Sequence, residues 1–106
     1  MTDATQLRAC ELLVARLVVA VMADRGIAAP KAEELAKDGE LRTRDLSLLG
    51  LSSLDWIALA TRLEDTIGAE ISDQVLLAPE QRCVAGWGEA VLAARTTRSG
   101  APNQTH

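Results

Sequence analysis

From Thr5 to about Arg25, apolar residues recur at three- and four-residue steps: Leu7, Cys10, Val14, Leu17, Val18, Val21 and Met22. That spacing predicts an amphipathic helix, with Asp3 or Thr5 available as its N-cap. Gly26 is placed to end it, and Pro30 cannot continue it. A long connection then runs from Ile27 to Leu51. Lys31 to Lys37 could make a turn or two of helix, but Asp38-Gly39 interrupts it, so the segment is expected to be mostly loop. Leu46, Leu48, Leu49 and Leu51 are expected to pin its far end to the core. Loops beyond about 12 to 15 residues are uncommon in compact domains and tend to carry function.

A second helix is predicted from Ser53 to Ile67, where Trp56, Leu59, Ala60, Leu63 and Ile67 form one apolar stripe, Ser52 or Ser53 can cap the start, and Gly68 stops it. Ser72 to Gln81 contains Pro79 and has room only for a short helix or turn. A last helix is expected over Val84 to Ala94, weakened by Gly86 and Gly88 at about 1 kcal/mol each relative to Ala. Val84, Trp87, Val91 and Leu92 must therefore pack inward to hold it. Residues 96–106 are small and polar and are expected to be a disordered tail after a domain spanning 1–95. Met1 and this tail suit a free-standing chain.

Composition narrows the fold further. Of 106 residues, 48% are hydrophobic but only 2% aromatic, so Leu, Val, Ile and Ala must fill the core, a mixture that favours helix over sheet. The expected class is all-α: a four-helix bundle of three main helices plus one short helix, with a long first loop. The apolar run Leu12 to Ala23 covers 12 residues and contains Arg16, well short of the roughly 18 to 20 needed to span a bilayer. Cys10 and Cys83 form no CxxC pair and have no histidines beside them; burial without function in a cytoplasmic, reducing setting is the default.

Charge divides unevenly along the chain. Residues 1–44 balance seven acids with seven bases, whereas residues 45–80 hold Asp45, Asp55, Glu64, Asp65, Glu70, Asp73 and Glu80 against Arg62 alone. An acidic middle argues against nucleic acid and for a basic protein partner. Enzyme chemistry is poorly supplied. The single histidine, His106, ends the chain, and there is no metal-ligand cluster and no glycine-rich phosphate loop.

What remains is a hydroxyl at a helix start, preceded by a glycine and followed by an acid-bearing amphipathic helix. The run Asp45-Leu46-Ser47-Leu48-Leu49-Gly50-Leu51-Ser52-Ser53-Leu54-Asp55 resembles the signature of acyl carrier proteins. Leu49, Gly50, Ser53, Leu54 and Asp55 agree with that family's pattern, while Ser52 stands where an aspartate is usual. The similarity continues through Leu59, Leu63-Glu64-Asp65 and Gly68-Ala69-Glu70-Ile71-Ser72-Asp73. It extends to Cys83-Val84, where Thr-Val often stands.

The resemblance implies a non-catalytic carrier bundle with 4'-phosphopantetheine, taken from coenzyme A, attached at Ser53. It implies acyl cargo held as a thioester, in biosynthesis of polyketide or fatty-acid type. Its partners would be a phosphopantetheinyl transferase and acyl-transferring and synthase enzymes with basic docking patches, with no nucleic acid or membrane involved and the carrier a monomer. Leu54, Asp55, Ile57, Glu64 and Asp65 would form the partner-binding face. The bland alternatives are a plain N-cap serine, a solvated acidic face and, for Leu54 and Ile57, edge-of-core packing. Trp56 is either core or close to cargo. A peptidyl or aminoacyl carrier uses the same serine, and an unmodified helical adaptor is a reading from another class.

Overall fold

The computed structural model describes residues 2–71 and 81–100, with side chains in those ranges except at 2–4, 53 and 96–100. Every regular element among the described residues is helical. Helix α1 spans Thr2–Asp24, α2 Ala32–Lys37, α3 Gly39–Thr43, α4 Ser53–Ile67 and α5 Val84–Gly100, with a 3₁₀ turn at Leu46–Leu49. The short helix expected within Ser72 to Gln81 lies almost wholly outside the described residues.

The core forms where α1, α4 and α5 meet. Cys10, Val14, Val18, Val21 and Met22 of α1 are buried with Trp56, Leu59 and Leu63 of α4 and with Val84, Trp87 and Val91 of α5. The apolar stripes predicted for all three helices thus converge on one interior, as the three- and four-residue spacing requires. Gly26 and Gly68 adopt left-handed φ values of 72° and 70°, which explains why α1 and α4 stop where glycine permits the chain to turn.

The first connection departs from the expected loop. Leu35 is fully buried, with Ala32 and Ala36 packed against the core, so a six-residue helix is held by tertiary contact that its length alone would not sustain. Asp38-Gly39 is a junction between two helices. The Asp38 amide donates to Glu34 O, closing α2, while its carboxylate accepts from the amides of Glu40 (2.9 Å) and Leu41 (3.1 Å), opening α3. Leu46 and Leu51 reach the core as expected, and Leu49 packs partly against it, but Leu48 is 75% exposed because it lies on the outer side of the 3₁₀ turn.

Gly86 and Gly88 are explained by close approach. A Cβ on Gly86 would stand 2.5 Å from Gln81 O, and one on Gly88 would stand 2.6 Å from Glu11 Cγ. Where α5 crosses α1, the buried Glu11 carboxylate accepts from Arg42 Nε (3.2 Å) and Nη2 (2.7 Å) of α3, a two-pronged pair that ties the first connection to α1. Helix α5 begins on Cys83, whose Sγ accepts from the Gly86 amide at 3.3 Å. It continues to Gly100 rather than stopping at Ala94, and residues 101–106 of the expected tail lie outside the described residues.

Candidate functional site

The helix start that carries the serine motif is held from several sides. Asp45 opens the 3₁₀ turn by accepting from the Ser47 amide at 2.9 Å, and that bond holds the Asp45 carboxyl below its ordinary acidity range. The Leu46 amide donates to Arg82 O at 2.7 Å, fastening the turn to the segment before α5. Gly50 closes the turn with φ 101°, a left-handed conformation that an L side chain rarely adopts, and its amide donates to Ser47 O. Buried Leu51 anchors the next step, so the chain enters α4 from a fixed point.

Ser52 is the N-cap of α4 and Ser53 its first helical residue. The Ser53 side chain lies outside the described side chains, so its place is given by the backbone. Asp55, three residues after Ser52, accepts from the Ser52 amide at 2.7 Å and from the Ser52 hydroxyl at 3.1 Å, both at Oδ2. From the far end of α1, Arg25 Nη1 donates to both Asp55 oxygens at 2.7 Å. The Ser52 amide, opposed by burial and reinforced by Arg25 and the Ser52 hydroxyl, keeps the Asp55 carboxyl below its ordinary acidity range.

Asp55 is therefore not part of an exposed acidic face: it is 4% exposed and committed to contacts within the chain. The physical reason is its position at the third residue of the helix, where a carboxylate reaches back to the N-cap amide. The other residues expected on the partner face divide. Leu54 and Ile57 are 76% and 55% exposed, too open for edge-of-core packing. Asp65 is exposed, as is Glu70. Glu64 is half-buried and accepts from the Ile71 amide at 2.9 Å, holding the chain after Gly68. Arg62, the one base of the acidic stretch, pairs with Asp24 of α1.

Trp56 is buried in the core, with the Arg82 guanidinium 5.7 Å from its ring centroid. Cys10 and Cys83 are buried free thiols. Arg25 escaped the sequence reading because it lies 30 positions from Asp55, with no periodicity linking the two. The available hint was a base at the end of a helix whose partner could not be local.

An anion attached at position 53 suits this helix start. The first amides of a helix have no intrahelical acceptor, and the capping box formed by Ser52 and Asp55 engages only the amides of Ser52 and Asp55 themselves. The Arg25 guanidinium, about half exposed, adds positive charge nearby. Among the described residues no group of three or more His, Cys, Asp or Glu could hold a metal ion, and no helix is long and apolar enough to cross a membrane.

Comparison with known proteins places these observations. The family model described as "Phosphopantetheine attachment site" matches residues 27–91, a span running from the end of α1 to the middle of α5 and containing the whole Gly50 to Asp55 turn. Comparisons with curated proteins and with solved structures give no match. The family match covers more than half of the chain, and the all-helical bundle agrees with it. The chain belongs to the phosphopantetheine-binding carrier family, as a non-catalytic carrier domain whose prosthetic group is 4'-phosphopantetheine.

Proposed function

We propose that Ser53 bears the phosphopantetheine arm and that the cargo is an acyl group, passed between enzymes of polyketide or fatty-acid type. The observation that carries this reading is the place of Ser53 at the first position of α4, immediately after the left-handed turn at Gly50. When attached, the arm supplies a thiol that holds cargo as a thioester. The chain's own residues supply presentation: Gly50 and Leu51 set the entry angle, and Asp55 with Arg25 locks the first turn from beneath.

Docking is assigned to the outer face of α4 and the segment just after it. Leu54 and Ile57 offer apolar contact beside the attachment point, and Asp65 of α4 and Glu70 beyond its end offer charge to a basic surface on a phosphopantetheinyl transferase or synthase. Glu64 belongs to that face through its charge, although one oxygen is engaged by Ile71. The acid following Ser53-Leu54 and the acidic character of α4 favour acyl over aminoacyl cargo. Modest affinity suits a carrier, which must leave each enzyme again.

The test is intact-mass measurement after incubation with coenzyme A, magnesium and a broad-specificity phosphopantetheinyl transferase. The expected result is a gain of one arm per chain. After loading from an acyl donor, a further gain is expected that hydroxylamine removes, as it does for thioesters. A chain that gains nothing contradicts the reading.

A further inference from the structure

Two adjacent hydroxyls stand at the start of α4, and the transferase must choose between them. We infer that the Arg25–Asp55 clasp is a selectivity device that withdraws Ser52 from modification and leaves Ser53 as the only acceptor. This rests on the reading of Ser53 as the attachment residue and extends it to how the choice is made.

The argument starts from bonds. Ser52 donates both its amide and its hydroxyl to Asp55 Oδ2, at 2.7 and 3.1 Å. Arg25 holds that carboxylate by both oxygens, and Asp55 is 4% exposed, so the acceptor is fixed and its charge persists. In the transfer step, a serine oxygen forms a bond to the phosphorus that carries the pantetheine. The bond from that phosphorus to the oxygen of adenosine bisphosphate breaks, adenosine bisphosphate leaves, and the hydroxyl proton passes to a base on the transferase or to solvent. At Ser52 that proton is already committed to Asp55. The clasped carboxylate is a poor base, because its partners hold its affinity for protons down. The product would also place a phosphodiester beside the buried Asp55 carboxylate, a like-charge contact.

Position 53 is the first helical residue, one step past the N-cap to which Asp55 reaches back, and along the backbone it stands two residues before Asp55, outside the three- and four-residue steps that pair positions on a helix. Arg25 is thus a positioning residue, acting on the choice of hydroxyl through Asp55. The clasp is what makes a serine tolerable at position 52.

The experiment maps the labelled residue by peptide fragmentation after incubation with coenzyme A, magnesium and the transferase. Wild type is expected to carry label on Ser53 alone, and Ser53→Ala to carry none. In Asp55→Asn, which removes the charge at nearly constant shape, label at Ser52 should rise roughly tenfold or more over wild type, a change of about 1.4 kcal/mol per factor of ten. The double variant Ser53→Ala/Asp55→Asn should accept an arm on Ser52, a gain that loss of structure could not produce. Arg25→Gln should move labelling in the same direction, and Arg25→Lys should restore the preference.

Label confined to Ser53 in Asp55→Asn and Arg25→Gln, with the double variant Ser53→Ala/Asp55→Asn unlabelled, overturns the inference. So does loss of all labelling in Asp55→Asn, since the clasp would then be needed to present Ser53 rather than to exclude Ser52. Wild type labelled on Ser52, or not at all, would instead overturn the assignment of Ser53 itself.

Discussion

Gly88 lies against Glu11 so closely that a Cβ on it would stand 2.6 Å from Glu11 Cγ and 3.2 Å from Glu11 Cα. The two helices that meet there, α1 and α5, form the main contact of the bundle. The neighbouring Glu11 side chain cannot swing away, because Arg42 grips both of its oxygens. Replacing Gly88 by Ala should therefore lower stability even though alanine is the better helix former. The propensity gain is about 1 kcal/mol, against about 1 to 3 kcal/mol for overpacking. Urea unfolding followed by the fluorescence of Trp56 and Trp87 measures the difference, and a Gly88→Ala variant more stable than wild type would contradict the packing account.

The pair of Glu11 and Arg42 carries its own prediction. Glu11 is buried and Arg42 about one-third exposed, so removing the arginine strands a carboxylate in the interior. Arg42→Met should cost about 1 to 3 kcal/mol, less than a fully buried pair because solvent still reaches the site. Glu11→Leu combined with Arg42→Met should recover much of that loss. If the two single variants and the double variant show additive losses, the pair is not coupled as described.

Those two features show what could be read from the residues alone. The three long helices were legible from their apolar stripes at helical spacing, with Gly26 and Gly68 marking the ends of α1 and α4, whereas the end of α5 at Gly100 was expected at Ala94. The Gly50 to Asp55 motif was legible too, because its residues are contiguous. Gly86 and Gly88 looked only like weaknesses, since nothing local announces that Gln81 O and Glu11 stand within a methyl group's reach. Asp38-Gly39 looked like an interruption because an N-cap and a helix break use the same residue types. Asp55 looked like a surface acid because its partner, Arg25, is remote in the chain.

Acid should loosen the segment from Asp45 to Asp55. The folded chain holds the carboxyls of Asp55 and Asp45 below their ordinary values, by the Ser52 and Ser47 amides respectively. A group whose folded pKa is depressed contributes stability above its unfolded pKa, about 3.9 for Asp, and loses it as pH falls through the folded value. Stability should thus fall as pH drops below about 4, with a shallower fall in Asp55→Asn, which has already lost its share at neutral pH. Urea midpoints across that range decide the matter: identical acid profiles for wild type and variant would rule out Asp55 as a contributor.

At the start of α5, Cys83 serves as a cap through sulfur, a weak acceptor placed where the carrier signature often has threonine. Cys83→Ala should cost about 0.5 to 1 kcal/mol, while Cys83→Thr restores an oxygen acceptor and should unfold at least as late as wild type. Thermal unfolding of the three proteins checks the order. An alanine variant as stable as the threonine one would show that the thiol does not cap the helix.

The central claim is that one hydroxyl, that of Ser53, receives the arm. Intact-mass measurement of Ser53→Ala beside wild type, after identical treatment with coenzyme A, magnesium and a broad-specificity phosphopantetheinyl transferase, tests it directly. The account predicts one arm per chain on wild type and none on Ser53→Ala, with both proteins equally helical. An undiminished mass gain on Ser53→Ala would contradict it.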